Sequence, residues 1–441
     1  MSAMLPKSVD YSEPLSTLPP DTQSFQVVCT PISSSSFSTG SQIDVDLGSR
    51  GHLVPGSLMI RYKGTAVGLA AQDAFICGTP VYTPFLRLNT MINSQTTETI
   101  NNYNVISNLV TNLTKDVAQK YGEQYSLGYA YPDAALAMEN LDGGQLLNAT
   151  PSRMYSAPLP CALAYSEKLI PLYALNGIRL TFTLDTLANI CSAITSAGSA
   201  AVALPTEFTI TNFEVIYQCV DFGKDVEAQV LSIPRLRIKS TTWASSVQNV
   251  AAGTTGQVNL NYNLKYSSIK ALIANFGGTS RVYSATAGQY GSGNGNMDSF
   301  DLSRGGDYQF QIGGINYPQR ALSSGYNKGG ILQSLRYAVG SLFDRSNALS
   351  INSVEFDTSS LMGATNTSVT RPAKFWVGVC TEKLRVPVGG FFSGISTENG
   401  AITLTSNIVS ANPFACNAML ILAADYILEI DPQTRQVVVI Q

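Results

Sequence analysis

Polar and apolar residues alternate along most of the chain. The alternation is clearest at residues 42–47, QIDVDL, and it recurs at residues 57–63 and 177–184. A period of two is the pattern of a strand that buries one face. In the longer segment 207–220, EFTITNFEVIYQCV, the alternation slips at Asn212, which predicts a bulge. The sequence therefore predicts a chain built mainly of β-strands.

The second half of the chain carries further predicted strands, in which β-branched and aromatic residues dominate. They cover residues 236–243, 257–264, 308–312, 350–356, 374–382, 418–430 and 436–440. Gly, Pro and Asn punctuate the intervals between them, as turns require. Many short strands separated in this way are typical of a β-sandwich or jelly roll in each half.

Two segments, residues 100–120 and 328–345, follow a helical period instead. Their apolar positions recur every three or four residues, so each helix is predicted to be amphipathic and to pack one face against a sheet. These positions are Tyr103, Ile106, Val110, Leu113 and Val117 in the first segment and Leu332, Leu335, Val339, Leu342 and Phe343 in the second. Each half thus runs strands, a helix and more strands, which indicates a structural duplication.

Charge is unusually sparse. Lys and Arg total 27 and Asp and Glu total 30, so charged residues make up 13% of the chain, about half the share in a typical soluble protein. With 44% hydrophobic residues, the surface must be covered by Ser, Thr, Asn, Gln and Gly. This composition argues against disorder and against nucleic-acid binding through a basic surface. The most basic stretch, residues 235–239, is interpreted as the polar face of a strand.

The candidates for catalytic and metal-binding chemistry are few. His52 is the single histidine, so multi-histidine metal sites are excluded and any histidine-dependent triad would have to use it. We expect His52 to be a surface or interface residue in a turn. The more specific alternative is that it forms a pH-sensitive contact. The seven cysteines contain no CxxC motif and are interpreted as small, mostly buried hydrophobic residues in a reduced compartment. They are Cys29, Cys77, Cys161, Cys191, Cys219, Cys380 and Cys416.

The other motifs do not support the hypothesis that the chain is an enzyme. Asp44 and Asp46 share one side of a strand and are expected to be solvated there. The run from Asn294 to Asp298 lacks the Gly and Glu of a helix-flanked calcium loop. Sequons occur at Asn112, Asn148 and Asn366, but residues 1–20 contain no apolar secretory segment. We therefore predict no catalytic residues, no metal, no cofactor and no enzyme activity.

Several segments, in order, resemble the double jelly-roll major capsid proteins of viruses, most of all those of polinton-like viruses and virophages. The similarity extends from about residue 25 to residue 440, and the chain is short for that group, so large apical insertions are absent or reduced. The segments that carry it are 25–28 (FQVV), 37–44 (FSTGSQID), 52–62 (HLVPGSLMIRY), 85–88 (FLRL), 98–105 (ETINNYNV), 169–172 (LIPL), 177–182 (GIRLTF) and 315–320 (INYPQR).

The resemblance implies an all-β fold of two tandem jelly-roll β-barrels, each with one amphipathic helix inserted. The expected divisions are an N-terminal arm at 1–24, a first jelly roll at 25–222, a linker at 223–232 and a second jelly roll at 233–441. The arm is expected to tie neighbouring capsomers together, and the Gly- and Ser-rich loop 285–306 to face outward or cap a trimer.

The resemblance also implies a function. Three copies would form a pseudo-hexagonal capsomer, and such capsomers would tile an icosahedral virion shell around a DNA genome. The partners would be the chain itself, neighbouring capsomers and minor capsid or penton proteins, with no sequence-specific nucleic acid. Synthesis would take place in the host cytoplasm, without secretion.

Three other functions stay open at this point. One is a β-sandwich binding protein, such as a carbohydrate- or receptor-binding module, and another is a β-rich hydrolase. The third is a minor role in a virion, such as a vertex protein. A vertex protein usually needs only one jelly roll, so the duplication argues against it.

Overall fold

The structure is a computed structural model. It describes residues 21–67, 73–76, 78–115, 117–128, 145–147, 152–194, 206–278, 299–340, 351, 356, 374–383, 393–398, 400–412 and 415–441. Several predictions lie outside these residues: positions 1–20 of the arm, most of loop 285–306 with the run from Asn294 to Asp298, most of strand 350–356, residues 341–345, Cys77 and the sequons at Asn148 and Asn366.

In the described residues of its first half, the chain forms strands β1 to β14 and the α-helices α1 to α4. The strands are β1 (Gln23–Cys29), β2 (Ser36–Ser38), β3 (Gln42–Leu47), β4 (His52–Leu53), β5 (Met59–Val67), β6 (Asp73–Ile76), β7 (Phe85–Ile92), β8 (Gln95–Asn101), β9 (Gln145–Leu147), β10 (Ser152–Pro158), β11 (Ile170–Pro171), β12 (Ile178–Leu184), β13 (Cys191–Ile194) and β14 (Glu207–Asp221). The helices are α1 (Tyr103–Thr114), α2 (Val117–Gly122), α3 (Gln124–Leu127) and α4 (Leu187–Ile190).

The second half begins with a helix and continues with strands β15 to β23. The helices named here are α5 (Lys224–Ser232) and α6 (Lys328–Gly340), both within the described residues. The strands are β15 (Leu236–Val250), β16 (Gly256–Tyr262), β17 (Ile269–Gly278), β18 (Asp307–Ile312), β19 (Ile315–Ser323), β20 (Val377–Cys380), β21 (Ile402–Ile408), β22 (Cys416–Asp431) and β23 (Gln436–Ile440).

Strands β1 to β14 form what we call the first sandwich. One sheet has the order β10-β5-β14-β4-β11, with β1 and β2 also paired to β14, and the facing sheet has the order β3-β12-β7-β8. A smaller sheet, β13-β6-β9, accompanies them. Neighbouring strands such as β14 and β5 are far apart in sequence, which is the crossover pattern of a jelly roll.

An aromatic cluster fills the space between the two main sheets of the first sandwich. Tyr62 and Phe213 come from one sheet, and Phe85 and Phe182 come from the other. The ring centroids are 5.5 Å apart for Tyr62 and Phe85 and 5.2 Å apart for Phe182 and Phe213. All four side chains are buried. Such tilted and edge-on contacts add to the free energy gained by burying the ring surfaces.

The bulge predicted in β14 is confirmed. Asn212 has φ 51°, and the pairing of β14 with β5 shifts register between Thr211 and Glu214. Asn tolerates the left-handed region better than most residues because its short side chain can bond locally. The shift turns Phe213 inward, where it joins the aromatic cluster.

Strands β15 to β23 form the second sandwich. One sheet has the order β15-β22-β17-β20, with β23 also paired to β22, and the other has the order β16-β21-β18-β19. Phe276 of β17 stacks on Tyr308 of β18, with ring centroids 5.3 Å apart, so this core also lies between two sheets. The prediction of two jelly rolls in one all-β chain is confirmed.

The two inserted helices differ from the prediction in one respect. Helix α6 is amphipathic as expected: Leu335 and Val339 are buried, whereas Arg336 and Tyr337 are exposed. Helix α1 is buried on all sides from residue 103 to residue 113, so the prediction that it buries a single face is wrong. Its start is also later than predicted, because residues 95–101 belong to β8.

Three predicted loop regions are corrected by the structure. Strand β1 begins at Gln23 and therefore includes the last two residues of the predicted arm. Residues 224–232 of the predicted linker form helix α5. The end of the predicted exposed loop is buried from residue 299 to residue 303, because Asp301 accepts hydrogen bonds from the Ser303 and Tyr308 hydroxyls and folds the segment inward.

Candidate functional site: the junction between the two sandwiches

The two sandwiches meet where β8 and residues 161–167 of the first contact β15 of the second. We call this contact the inter-sandwich junction. The Asn102 side-chain amide donates to the Ser245 hydroxyl at 3.2 Å, and that hydroxyl donates to the Asn101 carbonyl at 2.9 Å. The backbone N–H of Glu167 donates to the Lys239 carbonyl at 2.9 Å. The junction is therefore held by polar groups with defined partners.

Glu98 lies in the middle of the inter-sandwich junction, with its side chain only 2% exposed. The Thr242 hydroxyl of β15 donates to Oε1 at 2.6 Å. The backbone N–H of Ala162 lies 3.1 Å from each carboxyl oxygen, and the Thr90 hydroxyl donates to Oε2 at 3.3 Å. Glu98 thus accepts hydrogen bonds from both sandwiches at once.

Burial changes the acid–base behaviour of this carboxyl group. Removal from water raises the pKa of Glu98 to about 7, and the hydrogen bonds from Thr242, Ala162 and Thr90 offset only part of that rise. Among the described residues, no Lys or Arg forms an ion pair with it. The junction therefore buries a carboxyl group that is neutral in mildly acidic solution.

The local sequence does not mark Glu98 as a functional residue. In the strand QTTETIN it is an ordinary acidic residue among threonines, a composition that indicates a solvated strand face. Its burial depends on β15, and Thr242 lies 144 residues further along the chain. Nothing local to β8 carries that information.

His52 is buried, so the expectation of a surface or interface histidine is wrong. It lies in β4 with 6% exposure, between the rings of Tyr173 and Phe222, whose centroids are each 5.1 Å from its own. The Tyr173 hydroxyl and Nε2 are 3.1 Å apart. Gly51, at φ +70°, brings this turn so close to β14 that a Cβ there would lie 2.7 Å from Cys219 Sγ. Burial lowers the pKa of His52 and favours the neutral ring.

The other charged candidates lie on the outside of the sheets, as predicted. Asp46 pairs with Arg179 at 2.7 Å, and the Thr181 hydroxyl donates to Asp44 at 2.7 Å. In the basic stretch, Arg235 and Arg237 both pair with Glu429, at 3.1 and 2.8 Å. The interpretation of residues 235–239 as a polar strand face is confirmed.

The second sandwich has an outer face of a different kind. A groove of about 380 Å³ on the sheet β16-β21-β18-β19 is lined by uncharged side chains. The Thr403 hydroxyl donates to Asn261 Oδ1 at 2.8 Å, and the Thr405 hydroxyl donates to Asn259 Oδ1 at 3.0 Å. We call this surface the outer amide face and define it by Asn259, Asn261, Gln309, Gln311, Thr403 and Thr405.

The remaining predicted chemistry gives no second site. Of the six described cysteines, four are buried and two are partly buried, and all six are free thiols. The sequon residue Asn112 is buried in α1 and donates to the Asn108 carbonyl. Among the described residues, no group of three or more His, Cys, Asp and Glu side chains is placed to hold a metal ion. Within the same residues, no helix is both long and apolar enough to span a membrane.

Solved structures of viral capsid proteins resemble this chain over most of its length. The Faustovirus major capsid protein matches with a TM-score of 0.61 at 8% identity, over 96% of this chain and 92% of that one. The PBCV-1 virus capsid structure gives 0.57 at 14% identity, over 93% and 94%. The Sputnik virophage structure gives 0.56 at 13% identity, over 100% and 92%. Neither a protein-family model nor a curated protein matches the chain.

These comparisons establish the fold. The chain has the double jelly-roll architecture of those capsid proteins, and the resemblance inferred from its sequence is confirmed at that level. Sequence identities of 8 to 14% explain why the individual motifs were short and scattered.

Proposed function

We propose that this chain is a viral major capsid protein. Three copies form a trimeric, pseudo-hexagonal capsomer, and capsomers tile an icosahedral shell around a DNA genome. The observation that carries the proposal is the pair of tandem sandwiches joined by a buried junction, in a chain that matches solved major capsid proteins along nearly the whole length of both.

The in-chain contact supports a ring of six sandwiches. One chain places one sandwich against another through unlike surfaces, β8 on one side and β15 on the other. If a second chain repeats that head-to-tail arrangement, the contacts are heterologous and close into a ring when the rotation between units is suitable. Three chains with two sandwiches each would then give a six-unit ring.

The surface chemistry is also suited to repeated association. The outer amide face carries no charge, and the chain as a whole has a formal net charge of only −3. A shell that repeats the same contact many times gains from such a surface, because like charges on every copy would repel. Val28, Ile32 and Met154 are exposed apolar residues on the first sandwich and are candidates for contact between copies.

The finer organisation follows from the same proposal. We assign residues 1–22 as an arm that ties neighbouring capsomers, helix α5 as the connection between the two sandwiches, and residues 285–298 as a surface that caps the trimer or faces outward. Minor capsid or penton proteins would be further partners, the mature location would be the virion, and the role would be mechanical rather than enzymatic.

Native mass spectrometry and negative-stain microscopy of the purified chain test this function. We expect three-chain particles with a hexagonal outline at all ordinary salt concentrations. A chain that stays monomeric from low to high salt would contradict the proposal. A variant that lacks residues 2–20 provides the matched arm test: we expect trimers to persist while shell assembly weakens. If the deletion unfolds the trimer, the arm belongs to the sandwich core.

A second candidate function is binding of a neutral carbohydrate, and the outer amide face favours it. Side-chain amides and hydroxyls both donate and accept, as recognition of sugar hydroxyl groups requires. Titration calorimetry with neutral oligosaccharides, comparing the unaltered chain with Asn261→Ala, distinguishes the two functions. Two halves that each fold alone after cleavage near Asp225 would also favour the binding module over the capsid protein.

A further inference from the structure

We propose that proton binding at Glu98 controls how tightly the two sandwiches are held together, so that the inter-sandwich junction is more stable in mildly acidic than in alkaline solution. The inference goes beyond the proposed function. It concerns a contact within one chain and therefore stands or falls independently of capsid assembly.

The carboxyl group of Glu98 lies between the two sandwiches. Glu98 belongs to β8 of the first sandwich, yet its shortest hydrogen bond, 2.6 Å, comes from Thr242 of the second. Ala162, whose backbone N–H donates to both oxygens, also accepts a hydrogen bond at its carbonyl from the Ser240 hydroxyl of β15. A change in the charge of Glu98 therefore acts directly on the groups that join the sandwiches.

The groups that donate hydrogen bonds to Glu98 carry no charge. The donors are the hydroxyls of Thr90 and Thr242 and the backbone N–H of Ala162. Burying an ionised carboxylate that has only neutral donors costs more free energy than burying one that is paired with a cation. A protonated carboxyl fits the same pocket without that cost. Its O–H donates to the oxygen of Thr90 or Thr242, because a hydroxyl can rotate from donor to acceptor.

Among the described residues, the titratable groups that interact with Glu98 do not change charge in the same pH range. The titratable groups that interact with Glu98 from the surrounding segments are Cys161, Tyr165, Tyr266 and Tyr426. Burial raises the pKa of each of them above its ordinary value, so all four are neutral in mildly acidic and neutral solution. Protonation of the surroundings therefore stays constant while Glu98 titrates.

The charged groups of the neighbouring sheet are engaged with one another. Lys239 of β15 and Lys270 of β17 lie 3.7 and 3.5 Å from Asp425 of β22, and the Ser268 hydroxyl donates to the same carboxylate at 2.6 Å. His52 lies in β4 among aromatic rings, outside the inter-sandwich junction. Within the described part of the junction, we therefore assign the change of charge between pH 5 and pH 8 to Glu98.

The sign of the pH dependence follows from the two pKa values. The pKa of Glu98 is 4.5 as an ordinary side chain and about 7 in the folded chain. Below pH 4.5, Glu98 is protonated in both the folded and the unfolded state, so its full contribution to the stability of the folded chain is present. As pH rises from 4.5 to 7, the unfolded state loses its proton first, so stability falls until the folded carboxyl also ionises. The full change corresponds to an increase in the unfolding equilibrium constant on the order of 100-fold.

Hydrogen–deuterium exchange of the purified full chain tests the proposal. We would compare peptides covering residues 95–101, 159–167 and 236–246 at pH 5.5 and pH 8, after correction for intrinsic exchange rates. We expect these peptides to lose protection at pH 8 in the unaltered chain. In Glu98→Gln, which mimics the neutral carboxyl, we expect the pH difference to disappear. The matched control is Glu429→Gln on the outer side of the second sandwich, which should keep the pH difference.

A second measurement keeps the test decisive if Glu98→Gln folds poorly. Thr242→Val removes a donor that stabilises the ionised form, so we expect the pH midpoint for loss of protection to move upward. Thr242→Ser should restore the original midpoint. Equal protection at both pH values in the unaltered chain would overturn the proposal, as would a pH difference that survives in Glu98→Gln.

Discussion

Helices α1 and α6 occupy comparable positions in the two halves of the chain, since α1 follows the β7-β8 hairpin and α6 follows the β18-β19 hairpin. Their surroundings differ. Helix α1 is covered on every side, and its polar residues are buried with the apolar ones, whereas α6 exposes one face. Two segments with the same helical period can therefore reach different degrees of burial.

The difference shows what each helix needs from its neighbours. In α1, the Thr79 hydroxyl donates to Asn108 Oδ1 at 2.8 Å, and the Asn104 amide donates to Asp185 Oδ2 at 2.8 Å. In α6, Leu335 lies so close to β20 that a Cβ on Gly378 would be 2.7 Å from its Cδ1. Helix α1 is therefore held partly by buried polar contacts, and α6 is held by close apolar packing.

Removing apolar volume should have the largest effect on both helices. We expect Leu335→Ala in α6 and Leu109→Ala in α1 each to lower the free energy of unfolding by about 2–4 kcal/mol, because both side chains are buried. Urea titration measures the loss. A loss near zero for Leu335→Ala would show that α6 is misplaced. Adding Gly378→Ala to that variant should recover part of the loss, since the new methyl fills the vacated space.

Removing a polar partner should lower the free energy of unfolding by different amounts in the two helices. We expect Asn108→Ala to cost about 1–3 kcal/mol, because it removes the buried Oδ1 that accepts from the Thr79 hydroxyl and the Asn112 amide. The comparison in α6 is Ser334→Ala, which loses one donation to the Gly378 carbonyl from a partly buried position and should cost less. Equal losses in the same titration would mean that polar packing does not distinguish the helices.

The outer sheet faces of the two sandwiches also differ, but substitutions there should change stability less. The first sandwich places Asp46 against Arg179, whereas the outer amide face of the second sandwich is uncharged. We expect Arg179→Gln to lower the melting temperature slightly at low salt and not at all in 1 M NaCl, because exposed ion pairs are screened. Thr403→Val on the amide face should give the same small change at both salt concentrations.

The alternation of polar and apolar residues predicted strand bounds and bulges, because these features depend on neighbouring residues. Strands β3 and β23 have the predicted bounds, and the bulge at Asn212 was visible as a slip of the alternation. Helix α5 was missed, although Asp225 and Glu227 in its first turn are a favourable helix-start signal. Its Val and Leu residues do not define a buried face, so the usual signal was weak.

The site itself was beyond what the sequence could predict. The burial of Glu98 depends on Thr242 and Ala162, which the fold brings from distant segments. The burial of His52 depends on Tyr173, 121 residues away. In each residue the chemistry is set by a tertiary contact, and no periodicity in the flanking residues reports that contact.

The strands that pair with the most other strands, β14 and β22, come late in their halves of the chain, which has a consequence for folding during synthesis. β14 is made after β1, β2, β4 and β5, to all of which it pairs, and β22 is made after β15 and β17. A nascent first sandwich can thus close its main sheet once residue 221 has left the ribosome. The second must wait until β22 emerges, with Leu236 separated by 194 residues from its partner Ile430. During that interval β15 and β17 expose unpaired edges, as β1 and β2 do until β14 is made, so each half depends on one late strand to complete its main sheet.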